Sequence, residues 1–311
     1  MPSYDDREHV NILVSPDIEK DIIPELIATI KQLKGKKVKD VDQHVLAVLD
    51  KYRAQNHDIV AIYNHPSRKD ADVAENIADI QSWNAKSKHI VGFAGAPGHQ
   101  KQDDVGSYRK HFKTIDRWDP AIATVGGTWD ELLSAGHNIW GAIASSDFHN
   151  DSMDEAPCEF ARIHVLVTEN SYSGILKGLK AGTFWADHGK ILKAFNMQIR
   201  MDGIVENAAP GAIVSIGKNT LAEVTIDIER DVGSKDSPLF VELISNCRSG
   251  DVELYENKVL DLNSETFFSL LPLLNTGSDK KSCFVRARIR KMNFLEPDFM
   301  AYGNSIRFIL D

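Results

Sequence analysis

Cysteine is scarce in this chain: its 311 residues hold only three, Cys158, Cys247 and Cys283. An odd number without metal-type spacing argues against a disulfide framework and against a cysteine-bound zinc, so the three read as small buried apolar side chains. Long apolar runs are missing as well. No window approaches the roughly 18 consecutive apolar residues of a membrane span, and the opening MPSYDDREHV lacks the basic-then-apolar order of a signal peptide. The expectation is a cytoplasmic protein that engages no membrane. Nor is there a surplus of positive charge: 36 Lys and Arg against 45 Asp and Glu give −9, which disfavours a nucleic-acid partner. Several catalytic signatures are also lacking, among them a phosphate loop ending in Lys-Ser/Thr, a Gly-x-Ser-x-Gly elbow and a His-Glu-x-x-His helix. The glycines of GAPGH run into HQKQDD rather than an apolar helix, so they read as a turn and not as a dinucleotide site.

What is present is globular in character, with 42% apolar and 26% charged residues and a length that suits two domains. Ile22, Ile23, Leu26, Ile27, Ile30 and Leu33 recur at helical spacing, and Val45, Leu46, Val48 and Leu49 repeat the pattern, which predicts a pair of surface helices. Short apolar runs that stop abruptly in polar residues follow: HDIVAIYNHPSR, HIVGFAG into APGHQ, AIATVGG before WDELLSAG, and IWGAIASSD into FHND. Strands that alternate with helices to about residue 190 predict β/α units around a parallel sheet or barrel, with functional side chains at the strand C-termini. Beyond Gly189 the segments FNMQIRMDG, LAEVTIDIER, LFVELISN and CFVRARIRK alternate and are separated by turns. They predict an all-β sandwich over residues 193–311, after a β/α domain over residues 1–192.

Four side chains directly follow predicted buried strands: His65 in YNHPSR, His99 in GAPGHQ, and Asp147 and His149 in SSDFHND. Imidazole and carboxylate suit zinc, manganese or iron, and Asp-x-His at a strand end sends two ligand heads to one side while Phe148 points into the packing. These four are the expected metal ligands. His44, His57, His89, His111 and His137 read as solvent-exposed and His164 as a strand residue. His188, in ADHGK at the domain junction, is ambiguous, and His9 belongs to a solvated acidic terminus. Arg286, Arg288 and Arg290 alternate on one face of a strand, which reads as a solvated sheet face.

The segments IVAIYNHPSR, WDELLSAGHNIWGAIASSDFHND and ARIHVLVTENSYSGILKGLKAGTFWADHG resemble the PHP (polymerase and histidinol phosphatase) superfamily of metallohydrolases, most of all its carbaryl-hydrolase and microcin-processing branch. The resemblance covers about residues 8–190 and extends to the ending AYGNSIRFIL. It implies a distorted seven-stranded β/α barrel with up to three metal ions at its C-terminal mouth and hydrolysis of phosphate esters or related ester and amide bonds in a small-molecule substrate. Carried over by motif, His65 and His99 would share one metal, Asp147 would serve a second site and His149 a third. The superfamily's initial His-x-His, a further histidine, Thr-Asp-His and bridging Glu have no counterpart here. The expectation is therefore an incomplete barrel, from a truncated chain or a degenerate member, that holds fewer metals than the full site. Its open sheet edges would call for rearrangement or for a partner such as a second copy. The competing expectation is a non-catalytic binding or assembly module.

Overall fold

The computed structural model describes residues 9–33, 38–68, 77–78, 80–81, 89–97, 114–146, 148, 156–201, 208–217, 220–273, 282–293 and 297–310. A strand β1 (His9–Val14) leads into helices α1 (Glu19–Gln32) and α2 (Val38–Ala54), then β2 (Ile59–Asn64) and β3 (Ile90–Pro97). Two short helices, α3 (Pro120–Ala123) and α4 (Thr128–Ser134), precede β4 (Trp140–Ser145), β5 (Ala161–Val165), α5 (Tyr172–Ala181) and β6 (Phe184–His188). The remainder is β7 (Leu192–Met201), β8 (Ile213–Ile216), β9 (Thr220–Arg230), β10 (Leu239–Ser245), β11 (Glu253–Leu260), β12 (Thr266–Leu273), β13 (Ser282–Lys291), β14 (Phe299–Gly303) and β15 (Ile306–Leu310).

The barrel expected from the sequence does not form. Fifteen strands stand against five helices among the described residues, and they divide into sheets of four, eight and three strands, none closed on itself. Only β2, β3 and β4 are parallel neighbours, with β1 added antiparallel to β2. Instead of continuing this sheet, β5 and β6 pair with each other, and β6 pairs antiparallel with β14, so both enter the eight-stranded sheet. That sheet therefore runs across the sequence boundary near residue 192. Asn304 occupies the gap between β4 and β6: its Oδ1 accepts from the Ala142 amide at 3.2 Å, and its Nδ2 donates to the Gly182 and Phe184 carbonyls at 3.1 Å each. One fully buried side chain thus satisfies backbone groups that a strand ladder would otherwise pair. The expected AIATVGG strand is also replaced, by α3, because Asp119 caps it through the Ala121 amide and Pro120 takes a first-turn position.

Three apolar cores hold the sheets in place. Helices α1 and α2 bury Ile22, Leu26, Val45 and Leu49 against Ile59, on one side of the four-stranded sheet. Trp118, Trp129, Leu132 and Leu176 pack with Val60, Phe93 and Ile143 and reach Phe284 and Tyr302 of the eight-stranded sheet. The two tryptophans lie directly on strand backbone, since a Cβ on Gly95 would stand 2.7 Å from Trp118 and one on Gly141 2.5 Å from Trp129. A third core, with Met197, Val224, Ile226, Val241 and Phe308, is shared by the three- and eight-stranded sheets.

Two further expectations are corrected here. The arginines of β13 do not form a solvated face. Arg286 is fully buried and makes a bidentate pair with buried Asp130 of α4, at 2.6 and 2.9 Å, while Arg288 pairs with buried Glu242 and donates to the Ala123 carbonyl. This face is where helices α3 and α4 dock on the sheet. Cys247 and Cys283 are joined as a disulfide, and Cys158 is exposed and free. The pairing follows from strand register: Ser245 lies opposite Val285 in the antiparallel β10–β13 ladder, so the positions two residues further out on each chain face one another.

Candidate functional site

Parallel strands end on one edge. Asn64 closes β2 opposite Ala94 of β3, and Pro97 closes β3 opposite Ser145 of β4. His65 is the next residue after β2. It is buried, 5% exposed, and its backbone is left-handed at φ 36°, a conformation that costs a non-glycine residue free energy and recurs at functional sites. The turn is held by Arg68, whose amide donates to the His65 carbonyl at 3.1 Å and whose guanidinium Nη1 lies 3.3 Å from His65 Nε2. It is also held by Asp119, which is fully buried: its Oδ2 accepts from the Ser67 amide at 3.0 Å, and its own amide donates to Gly95 of β3. One residue therefore joins the His65 turn and the start of α3 through its carboxylate and β3 through its amide.

Arg68 adds charge to this edge. Its Nε is buried without a hydrogen-bond partner, and among the described residues no carboxylate lies within ion-pair distance of its guanidinium. A cation next to a buried imidazole, with no carboxylate partner among the described residues, is suited to receive an anionic ligand.

His99, Asp147 and His149 lie outside the described residues. Among those described, no group of three or more His, Cys, Asp or Glu has metal-holding geometry. Phe148, expected as a buried anchor, is 40% exposed. His89, expected to be exposed, is 1% exposed and bonded through Nε2 to Asp50 at 2.9 Å.

His188, at the end of β6, is the functional candidate that sequence reasoning left ambiguous. It is fully buried, and among the described residues neither ring nitrogen has a hydrogen-bond partner. Its ring stacks on Phe299 at 5.7 Å and sits 6.2 Å from Phe160, and Arg117 covers the same Phe299 ring at 4.8 Å. Burial, reinforced by the Arg117 charge, pushes its pKa down to about 3, so the imidazole is neutral at ordinary pH. The neighbouring Asp187 is held below the usual carboxylate range despite its burial, by His164 and by the bidentate Arg162 pair at 2.8 and 2.7 Å. The signal in the sequence was the His at a strand end; its isolation among aromatic rings was not readable there.

No protein-family model matches the chain, and a search of curated proteins finds no match either. Among the described residues no helix is long and apolar enough to cross a membrane.

Proposed function

We propose that the chain is a metal-dependent hydrolase that acts on a small phosphorylated substrate at the C-terminal edge of β2, β3 and β4. The observation that carries this reading is the His65–Arg68 turn, where a buried imidazole and a guanidinium with no carboxylate partner among the described residues share the edge on which three parallel strands end. In sequence, His99 follows the last residue of β3 by two positions, and Asp147 and His149 follow the last residue of β4 by two and four. The likeness of these motifs to the PHP superfamily supports the same reading, without its barrel.

The donor set fits a transition metal: neutral imidazoles from His65, His99 and His149 with the carboxylate of Asp147. When bound, zinc, manganese or iron supplies Lewis acidity toward a phosphoryl oxygen and toward water. The chain's own residues bind and orient. Asp119 fixes the His65 turn through the Ser67 amide, and Arg68 offers a guanidinium to a phosphate oxygen.

The test is hydrolysis of p-nitrophenyl phosphate with added manganese or zinc, alongside metal content after dialysis. Turnover should fall about a hundredfold in Asp147→Asn, which keeps the shape and removes the anionic ligand. Equal turnover in Asp147→Asn and wild type at saturating metal would remove the hydrolase reading. A folded wild type with neither metal uptake nor turnover would favour the binding-module alternative.

A further inference from the structure

The β10–β13 ladder stops at Ser245 and Val285, and beyond it side chains take over the pairing. Ser245 Oγ donates to the Phe284 carbonyl at 2.7 Å, and Asn246 Oδ1 accepts from the Phe284 amide at 2.9 Å. The Cys247–Cys283 bond comes next. Its Cα atoms are 5.0 Å apart, within the ordinary span of a disulfide, and it ties the two chain segments together where the ladder no longer does.

The two faces of this strand end carry different loads. Both cysteines belong to the core shared by the three- and eight-stranded sheets, where they are 1% and 4% exposed. Phe284 enters the other core, with Trp129, Leu132 and Leu133 of α4, and Asn246 Nδ2 donates to the hydroxyl of Ser134, the last residue of α4, at 3.2 Å. The turn that the bond secures is therefore the one on which α4 ends. The same helix carries Asp130, paired with Arg286 two residues beyond Phe284. Burial has a second consequence. Thiol–disulfide exchange needs a thiolate that can reach the sulfur under attack, and a closed core admits none, so the redox state of the pair is set while the chain folds and not afterwards.

We infer that the Cys247–Cys283 bond is a redox-dependent clamp on the docking of α4, and that the working chain is the oxidised one, folded in an oxidising compartment and not in the reducing cytoplasm expected from the sequence. In forming the bond the two thiols give up two protons and two electrons to a disulfide oxidant, protein-borne or small, which is itself reduced to two thiols. Cys158, exposed and free, takes no part. The inference is independent of the hydrolase reading.

The test compares the full chain made in a reducing bacterial cytoplasm with the same chain exported to an oxidising periplasm, each quenched in acid and alkylated in denaturant. Thiol counts by mass spectrometry need no variant. The exported chain should show one thiol, Cys158, and three only after reduction, whereas the cytoplasmic chain should show three at once. Amide hydrogen exchange then reads the clamp: in the reduced chain, exchange across α4 should speed up about tenfold or more, the lower end of what a disulfide contributes to stability, while α1 and α2 exchange as before. Cys247→Ala with Cys283→Ala should reproduce the faster α4 exchange in both compartments. Three thiols in the exported chain, a bond formed equally in the cytoplasm, or α4 exchange that is the same in oxidised and reduced chains would each overturn the inference.

Discussion

Removal of Arg286 or Asp130 alone should destabilise the protein far more than removal of both. The two are fully buried, and the guanidinium donates to both carboxylate oxygens, at 2.6 and 2.9 Å. The same guanidinium lies 4.7 Å from the Trp129 ring centroid, and Asp130 also accepts the Gly126 amide at 2.9 Å. In Arg286→Met the carboxylate keeps one amide partner and no charge partner, and in Asp130→Leu the guanidinium is stranded in an apolar layer. Each single variant should lose about 3–5 kcal/mol, because an uncompensated charge remains in a medium that solvates it poorly. The double variant, which fills the volume with apolar atoms, should return to within about 1 kcal/mol of wild type, since neither desolvation cost is then incurred. Urea unfolding of all four proteins, followed by tryptophan fluorescence, gives the coupling energy directly. The loss should persist at 0.5 M salt because the pair is shielded from mobile ions. Single variants that lose less than about 1 kcal/mol, or losses that simply add in the double variant, would refute the role given to this pair.

Asn304→Ala should cost about 3 kcal/mol or more in urea unfolding, because it leaves the Ala142 amide and the Gly182 and Phe184 carbonyls buried without partners. Asn304→Asp should not restore the loss, since a carboxylate cannot donate to either carbonyl. His188 should make the protein acid-sensitive. With a folded pKa of about 3 against about 6.5 unfolded, the unfolded chain takes up the proton first, so the full contribution is present above pH 6.5 and is lost as pH falls toward 3. Between pH 7 and pH 5 this group alone should remove about 2 kcal/mol, and the slope should be correspondingly shallower in His188→Leu.

Local elements were readable wherever a single periodicity governed them. The helical spacing of Ile22 to Leu33 and Val45 to Leu49 corresponds to α1 and α2, and the apolar runs before His65 and His99 correspond to β2 and β3. What failed was pairing at a distance. Nothing in IHVLV or FWADH says that β6 pairs with β14, 116 residues further on in the register Ala186 to Tyr302, and not with β4. The alternating arginines of β13 read as solvated because alternation marks two different faces without saying what covers each. Their burial depends on Asp130 and Glu242, which lie far away in sequence. The cysteine pair was missed for the same reason, as it depends on the β10–β13 register. The Asp-Pro that starts α3 was a legible capping signal that the apolar run AIATV outweighed.

The two ends of the parallel sheet differ chemically for a reason rooted in strand direction. At the C-terminal edge the chain leaves each strand into a connection that no regular ladder constrains, so side-chain position there depends on tertiary anchors. His65 shows the consequence: its left-handed backbone persists because Asp119 and Arg68 grip the turn from either side. At the N-terminal edge the chain arrives from helix ends, where α2 and α5 deliver Arg53 and Lys180 beside the first residues of β3 and β4. A reacting group needs the first kind of placement, since catalysis depends on orientation held to a fraction of an ångström. In the proposed hydrolase, that first kind of placement is the one His65 has.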